Sequence, residues 1–136
     1  MKRFQLIEHT ADIGLTAKGD SLSEAFANAA YGLFSIITDL RRVRTKESQV
    51  VSVSAEDIES LLFNWLNQFI YIFDVKHLLF KKFEIVQFGE QSLKAICRGE
   101  KYELSRHQIK IGVKSATYHM LKVDRENNMV QVIFDI

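Results

Sequence analysis

Apolar and polar residues alternate along the chain with two different periods. FQLIEH and DIGLTAKG alternate every second residue, which predicts two short strands joined through HTAD. In the second of these, Ile13, Leu15 and Ala17 share one face, and Asp12, Gly14 and Thr16 share the other. The period then changes. In SLSEAFANAAYGLFSIITD the residues Leu22, Ala25, Phe26, Ala29, Ala30, Leu33, Phe34 and Ile37 recur at helical spacing and form one apolar stripe. Ser21 followed by Glu24 predicts a capping box at the start of this helix. Gly32 lies inside it, where glycine destabilises by roughly 1 kcal/mol relative to alanine, and so marks a close contact.

QVVSVSA predicts another strand, and Ser54 with Asp57 opens a second helix in SAEDIESLLFNWLNQFIYIFDV. Its buried stripe is Ile58, Leu61, Leu62, Trp65, Leu66, Phe69, Ile70 and Phe73, and Glu56, Asp57 and Glu59 favour the positive end of its dipole. The second half is rich in strand patterns. KKFEIVQF and SLKAICRG flank Gly89–Glu90–Gln91, and TYHMLKVD and NMVQVIFDI flank Arg125–Glu126–Asn127–Asn128; each pair predicts a hairpin. YELSRHQIKIG reads as a loop entering a short strand. Hairpins imply a largely antiparallel or mixed sheet, and two one-faced helices imply a layer packed on it. The expected fold class is therefore two-layer α+β, as a single domain over residues 1–136 without linker or repeat.

Composition and charge narrow the function. The 136 residues are 47% hydrophobic and 26% charged, the balance of a soluble globular domain. A net charge of +1 is no footprint for gripping a nucleic-acid backbone, and no strand carries an exposed aromatic row, which argues against a stand-alone RNA-binding domain. The run Arg41, Arg42, Arg44, Lys46 reads as a solvated connection, with a local basic patch as the alternative. The one cysteine, Cys97, forms no disulfide within a chain and no cysteine zinc site; its place in LKAICRG suits a small buried apolar residue. MKRFQLIEHT lacks the apolar core of a signal peptide. LLFNWLNQFIYIF is interrupted by Asn64, Asn67 and Gln68, too polar to span a membrane. A cytosolic (cytoplasmic) protein with no membrane association is expected.

The chemistry-bearing residues lie near the two ends. There is no nucleophile elbow, no glycine-rich phosphate loop and no cysteine beside a suitable histidine. Of the four histidines, His9 and His119 sit in segments able to converge, while His77 and His107 read as solvated. Glu8, His9 and Asp12 cluster at the first turn. The chain stops at VIFDI, where Val130, Val132 and Phe134 face one way and Asp135 the other. The α-carboxylate of Ile136 can turn toward Asp135. Two anionic groups that close repel unless a cation joins them, and Ca²⁺ or Mg²⁺ prefers oxygen ligands. Asp12 is a third carboxylate if the first hairpin lies beside the last strand. The plainer alternative is a frayed tail and a turn-capping aspartate.

FQLIEHTADIGLTAKGDSLSEAFANAAYGLF, VKSATYHMLKV and the terminal VIFDI resemble the archease family. The resemblance implies a small cytosolic accessory protein, not an enzyme, which assists the GTP-dependent RNA-splicing ligase. It implies promotion of ligase guanylylation and of multiple turnover in tRNA splicing, with tRNA contacted indirectly through the ligase. It also implies a divalent-metal site on Asp12, Asp135 and Ile136, with calcium the expected ion and magnesium or manganese as alternatives. The family's active lysine falls on Lys114, and Glu8 and His9 belong to the motif. An older reading of some family members is a chaperone or modulator of a tRNA methyltransferase. The competing class is a metal-dependent phosphohydrolase or nuclease built on the same carboxylates, against which stands the lack of a second carboxylate cluster.

Overall fold

In the computed structural model, residues 3–8 and 12–136 are described, Glu8 by its backbone alone. The elements run β1 Phe4–Glu8, β2 Asp12–Lys18, α1 Leu22–Ile37, a 3-10 turn Leu40–Arg42, β3 Glu47–Ser54, α2 Ile58–Lys76, β4 Leu78–Phe88, β5 Ser92–Lys101, β6 Ser115–Asp124 and β7 Met129–Asp135. This is the α+β class that the alternating periods imply. The strands divide into two antiparallel sheets, ordered β1-β2-β7-β6 and β3-β5-β4. Both helices touch both sheets: α1 packs on β2 and β4, and α2 on β6 and β3.

The core lies where these surfaces meet. Phe34 of α1 meets Phe69 of α2 edge-on at 5.7 Å between ring centres, and stacks on Phe83 of β4 at 5.9 Å. Such aromatic pairs add roughly 0.5–1.5 kcal/mol beyond the area they bury. Trp65 is fully buried, and its indole N–H donates to the Phe26 carbonyl oxygen at 2.9 Å, which ties α2 to α1 without leaving a polar group orphaned. Among the described residues no helix is long and apolar enough to cross a membrane.

Local chemistry sets the element ends. Ser21 caps α1 by accepting from the Glu24 N–H, and Glu24 accepts in turn from the Asp20 N–H. At α2 the cap is Asp57 itself, accepting from the Ser60 N–H at 2.7 Å, while Ser54 remains the last residue of β3. A carboxylate there also meets the positive end of the helix dipole. Ile72 rather than Phe73 completes the buried stripe, Phe73 being half-buried. His77 ends α2 in the left-handed region (φ 60°), so the chain turns straight into β4. β4 begins at Leu78, three residues before the alternating KKFEIVQF, because Leu78, Leu79 and Phe80 are all buried and break the two-residue period. YELSRHQIKIG forms a turn and a single bridge from Ile109 to Thr38.

Two glycines record close approaches. A Cβ on Gly32 would lie 2.8 Å from a Leu15 methyl, so the missing side chain lets α1 settle onto β2. A Cβ on Gly99 would lie 1.8 Å from the Leu79 carbonyl oxygen, where β5 meets β4. A methyl can rotate away and a backbone carbonyl cannot. Gly99→Ala is therefore expected to destabilise the protein by about 3 kcal/mol or more in urea unfolding. Gly32→Ala should lose much less, because helix propensity returns roughly 1 kcal/mol. Equal losses for the two would contradict this packing.

Candidate metal centre

The antiparallel register of β2 on β7 sets Asp12 directly opposite Asp135. Directly opposed residues point to the same side of a sheet, with Cβ atoms about 5 Å apart, and like charges so placed repel. β7 is flanked by β6 on its other side, where Ser115 opposes Asp135. The Lys114 N–H donates to the Asp135 carbonyl oxygen at 2.9 Å, and the Lys114 side chain is exposed. Ile136 is half-buried and packs against the core, which fixes the direction in which the chain leaves β7.

The two carboxylates differ in environment. Asp135 is exposed, whereas Asp12 is half-buried. Its Oδ1 is shut off from solvent and has no hydrogen-bond partner among the described residues. An ionised oxygen in that position is costly unless something positive or proton-bearing meets it. Among the described residues no group of three or more histidine, cysteine, aspartate or glutamate side chains is arranged to hold a metal ion, and Asp12 and Asp135 stand as a pair. The donor set is all oxygen, which suits a hard divalent cation.

The other residues singled out from the sequence are placed as follows. The Glu8 backbone pairs with Ile13, next to Asp12, and His9, Thr10 and Ala11 lie outside the described residues. His119 is exposed, within an irregular stretch of β6 between Thr117 and Lys122. Cys97 is fully buried, and burial pushes its thiol up to about 12, which suits a packing role. His77 is exposed, as read.

His107, read as solvated, is instead buried at 3% exposure, and with it Glu100 at 3%. The Glu103 N–H donates to His107 Nδ1 at 2.9 Å, so the ring proton sits on Nε2, which lies 3.0 Å from Glu100 Oε2. Glu100 also accepts from the Arg44 N–H at 2.8 Å and pairs with the Arg106 guanidinium. Strand parity gives no sign of this, since Glu100 follows the inward Gly99 and should face out. The segment after β5 folds back over the strand end and encloses both residues. Burial alone would raise the Glu100 pKa; the bonds from Arg106, the Arg44 N–H and His107 outweigh it and hold the carboxyl at about 2.

The sequence model of the Archease protein family matches residues 4–136. The chain belongs to the archease family. Protein archease of Pyrococcus abyssi is 42% identical over 142 residues, spanning 100% of each chain. That of Methanosarcina mazei is 36% identical over 141 residues, spanning 99% of this chain and 97% of the relative. The solution structure of Methanobacterium thermoautotrophicum protein 1598 superposes with a TM-score of 0.80 at 32% identity, covering 100% of both. A crystal structure from Thermotoga maritima, described as an archease and possible chaperone, superposes with a TM-score of 0.61 at 25% identity, covering 96% and 94%.

The Glu100 cluster makes archease stability depend on acid in a defined direction. A carboxyl held below its ordinary 4.5 contributes stability that is complete above that value and is lost as pH falls toward about 2. Glu100→Gln is expected to lower stability at pH 7 by about 3 kcal/mol, as when one partner of a buried pair is removed. The wild-type and variant stability curves should converge between pH 4.5 and 2. Curves that stay parallel across that range would contradict the assignment.

Proposed function

We propose that this archease is an accessory activator of the GTP-dependent RNA-splicing ligase, acting through a divalent cation held by Asp12, Asp135 and the α-carboxylate of Ile136. Family membership supports the class of protein. The observation that carries the metal reading is the buried Asp12 Oδ1 without a partner, set across the sheet from a second aspartate. Three anionic oxygens gathered there repel, and calcium, or magnesium or manganese, is the partner their chemistry suits. A cation at this site supplies positive charge that offsets anionic oxygens during nucleotidyl transfer.

The residues of the chain divide the remaining work. Asp12 and Asp135 present carboxylate oxygens from two strands whose backbone is rigidly paired. Lys114 stands exposed beside Asp135 and offers an ammonium to a phosphate or to an acidic ligase residue. Glu8 and His9, shortly before Asp12 in the sequence, serve as secondary partner contacts. The RNA is reached through the ligase. A second reading, a chaperone of a tRNA methyltransferase, draws on the description of the Thermotoga maritima relative and on the exposed apolar Tyr118 and Met120.

The test is single-turnover guanylylation of the cognate ligase with and without this protein. Wild type should accelerate the step. Asp12→Ala, and a version extended past Ile136, should lose at least roughly tenfold of the stimulation while circular dichroism stays native. Full stimulation by both would overturn the metal reading. Protection of a methyltransferase from aggregation, unaffected by Asp12→Ala and without ligase stimulation, would favour the chaperone. Turnover of phosphate esters or RNA without ligase would favour a phosphohydrolase.

Calcium should also stabilise the protein alone, by about 2.7 kcal/mol at a hundredfold excess over its dissociation constant. Thermal melts with calcium or chelator check this. Asp12→Asn should abolish the shift, and an equal shift in that variant would place the ion elsewhere.

A further inference from the structure

A concavity of about 280 Å³ is lined by four arginines, Arg41, Arg42, Arg44 and Arg106. The first three belong to the run that reads from the sequence as a solvated connection; the fold adds the fourth from the turn after β5. Their placement is fixed from below. Asp39 caps the 3-10 turn that carries Arg41 and Arg42, and Val43 is buried between them and Arg44. Arg42 Nε–H donates to the Arg106 carbonyl oxygen at 2.8 Å. The buried Glu100 holds both the Arg44 N–H and the Arg106 guanidinium.

The guanidiniums are unequally satisfied. Arg41 is paired with Asp39 at 2.9 Å, and Arg106 with Glu100 and Glu103. The terminal nitrogens of Arg42 and the whole guanidinium of Arg44 have no hydrogen bond or ion pair among the described residues. Both side chains are exposed. Planar donors of fixed fork geometry pair bidentately with phosphate and carboxylate alike, and several of them converging on one small concavity suit phosphate, whose oxygens point in several directions. The volume lies below the range for whole drug-sized ligands, so it suits a phosphate group rather than an entire nucleotide.

The concavity and the carboxylate pair share one end of the molecule. α1 runs antiparallel to β2, with Gly32 against Leu15, and β2 runs antiparallel to β7, so α1 and β7 finish at the same end. The segment after Arg106 connects the two places. Its Lys110 N–H donates to the Ile37 carbonyl oxygen at 2.7 Å, and its Lys114 N–H donates to Asp135.

We infer that the arginine concavity is a phosphate-binding site, taking phosphate groups of an RNA backbone or of a nucleotide's polyphosphate at the same end of the molecule as the carboxylate pair. It stands on the geometry of this chain alone and does not require the ligase reading. Site-specific nuclear magnetic resonance of the arginine Nε–H groups tests it on the whole protein without ligase. Three probes are titrated: a short single-stranded oligoribonucleotide, inorganic tripolyphosphate, and a glutamate peptide of equal charge. The Arg42 and Arg44 signals should move saturably with at least one phosphate probe, roughly tenfold tighter than with the peptide. The tighter phosphate probe identifies the source. Arg42→Gln with Arg44→Gln should abolish the response and lower the salt slope for RNA by about 1.4, whereas Lys94→Gln, on the exposed side of β5, should leave both unchanged. Should the double variant fail to fold, the wild-type shifts and the peptide comparison still decide. Absence of a response to both phosphate probes, parity with the peptide, or equal weakening by Lys94→Gln would each overturn the assignment.

Discussion

The pairing of β2 with β7 is the constraint on which the candidate site depends. Its register is set from the buried side. Ile13 opposes Phe134, Leu15 opposes Val132 and Ala17 opposes Val130, and all six are buried. A slip of one residue would carry this apolar set to the wrong face of the sheet, so the core holds the register firmly. The same register leaves Asp12 facing Asp135 at the strand end, an arrangement that electrostatics alone would reject. Hydrophobic burial thus sets two carboxyl groups face to face at the strand end.

A second polar centre works in the opposite sense. Glu100, His107 and Arg106 are matched donor to acceptor, with the histidine tautomer set by the Glu103 N–H. Satisfied in this way, a buried carboxylate orders the segment that leaves β5 and fixes the backbone of Arg44. One cluster closes upon itself and builds structure. The other, at Asp12, has a buried Oδ1 with no hydrogen-bond partner among the described residues.

Much of the fold was legible because local periodicity reports local burial. The stripes of α1 and α2, the Ser21 cap and both late hairpins follow from spacing alone. The division of strands into two sheets did not, since which strand neighbours which is settled by contacts far apart in sequence, such as α1 bridging β2 and β4. Asp57 rather than Ser54 caps α2 because Ser54 is still paired with Ser92 in β3 and Asp57 is the residue directly before the helix. His107 misled because a polar residue in an irregular segment looks solvated until the chain folds back over it. At the candidate site, residue type and the odd ending in VIFDI pointed to Asp12 and Asp135, but their adjacency is a matter of register between the two ends of the chain. Arg106 joins the other arginines by the same kind of long-range closure, which no local pattern announces.

The proposal that a divalent cation completes the carboxylate pair is open to direct observation. Crystals grown with calcium and measured at long wavelength test it most directly through the anomalous difference map. One peak is expected about 2.4 Å from carboxylate oxygens of Asp12 and Asp135 and from the main-chain carboxylate of Ile136. A map with no peak between those residues, or with Asp12 Oδ1 hydrogen-bonded to a protein donor instead, would contradict it.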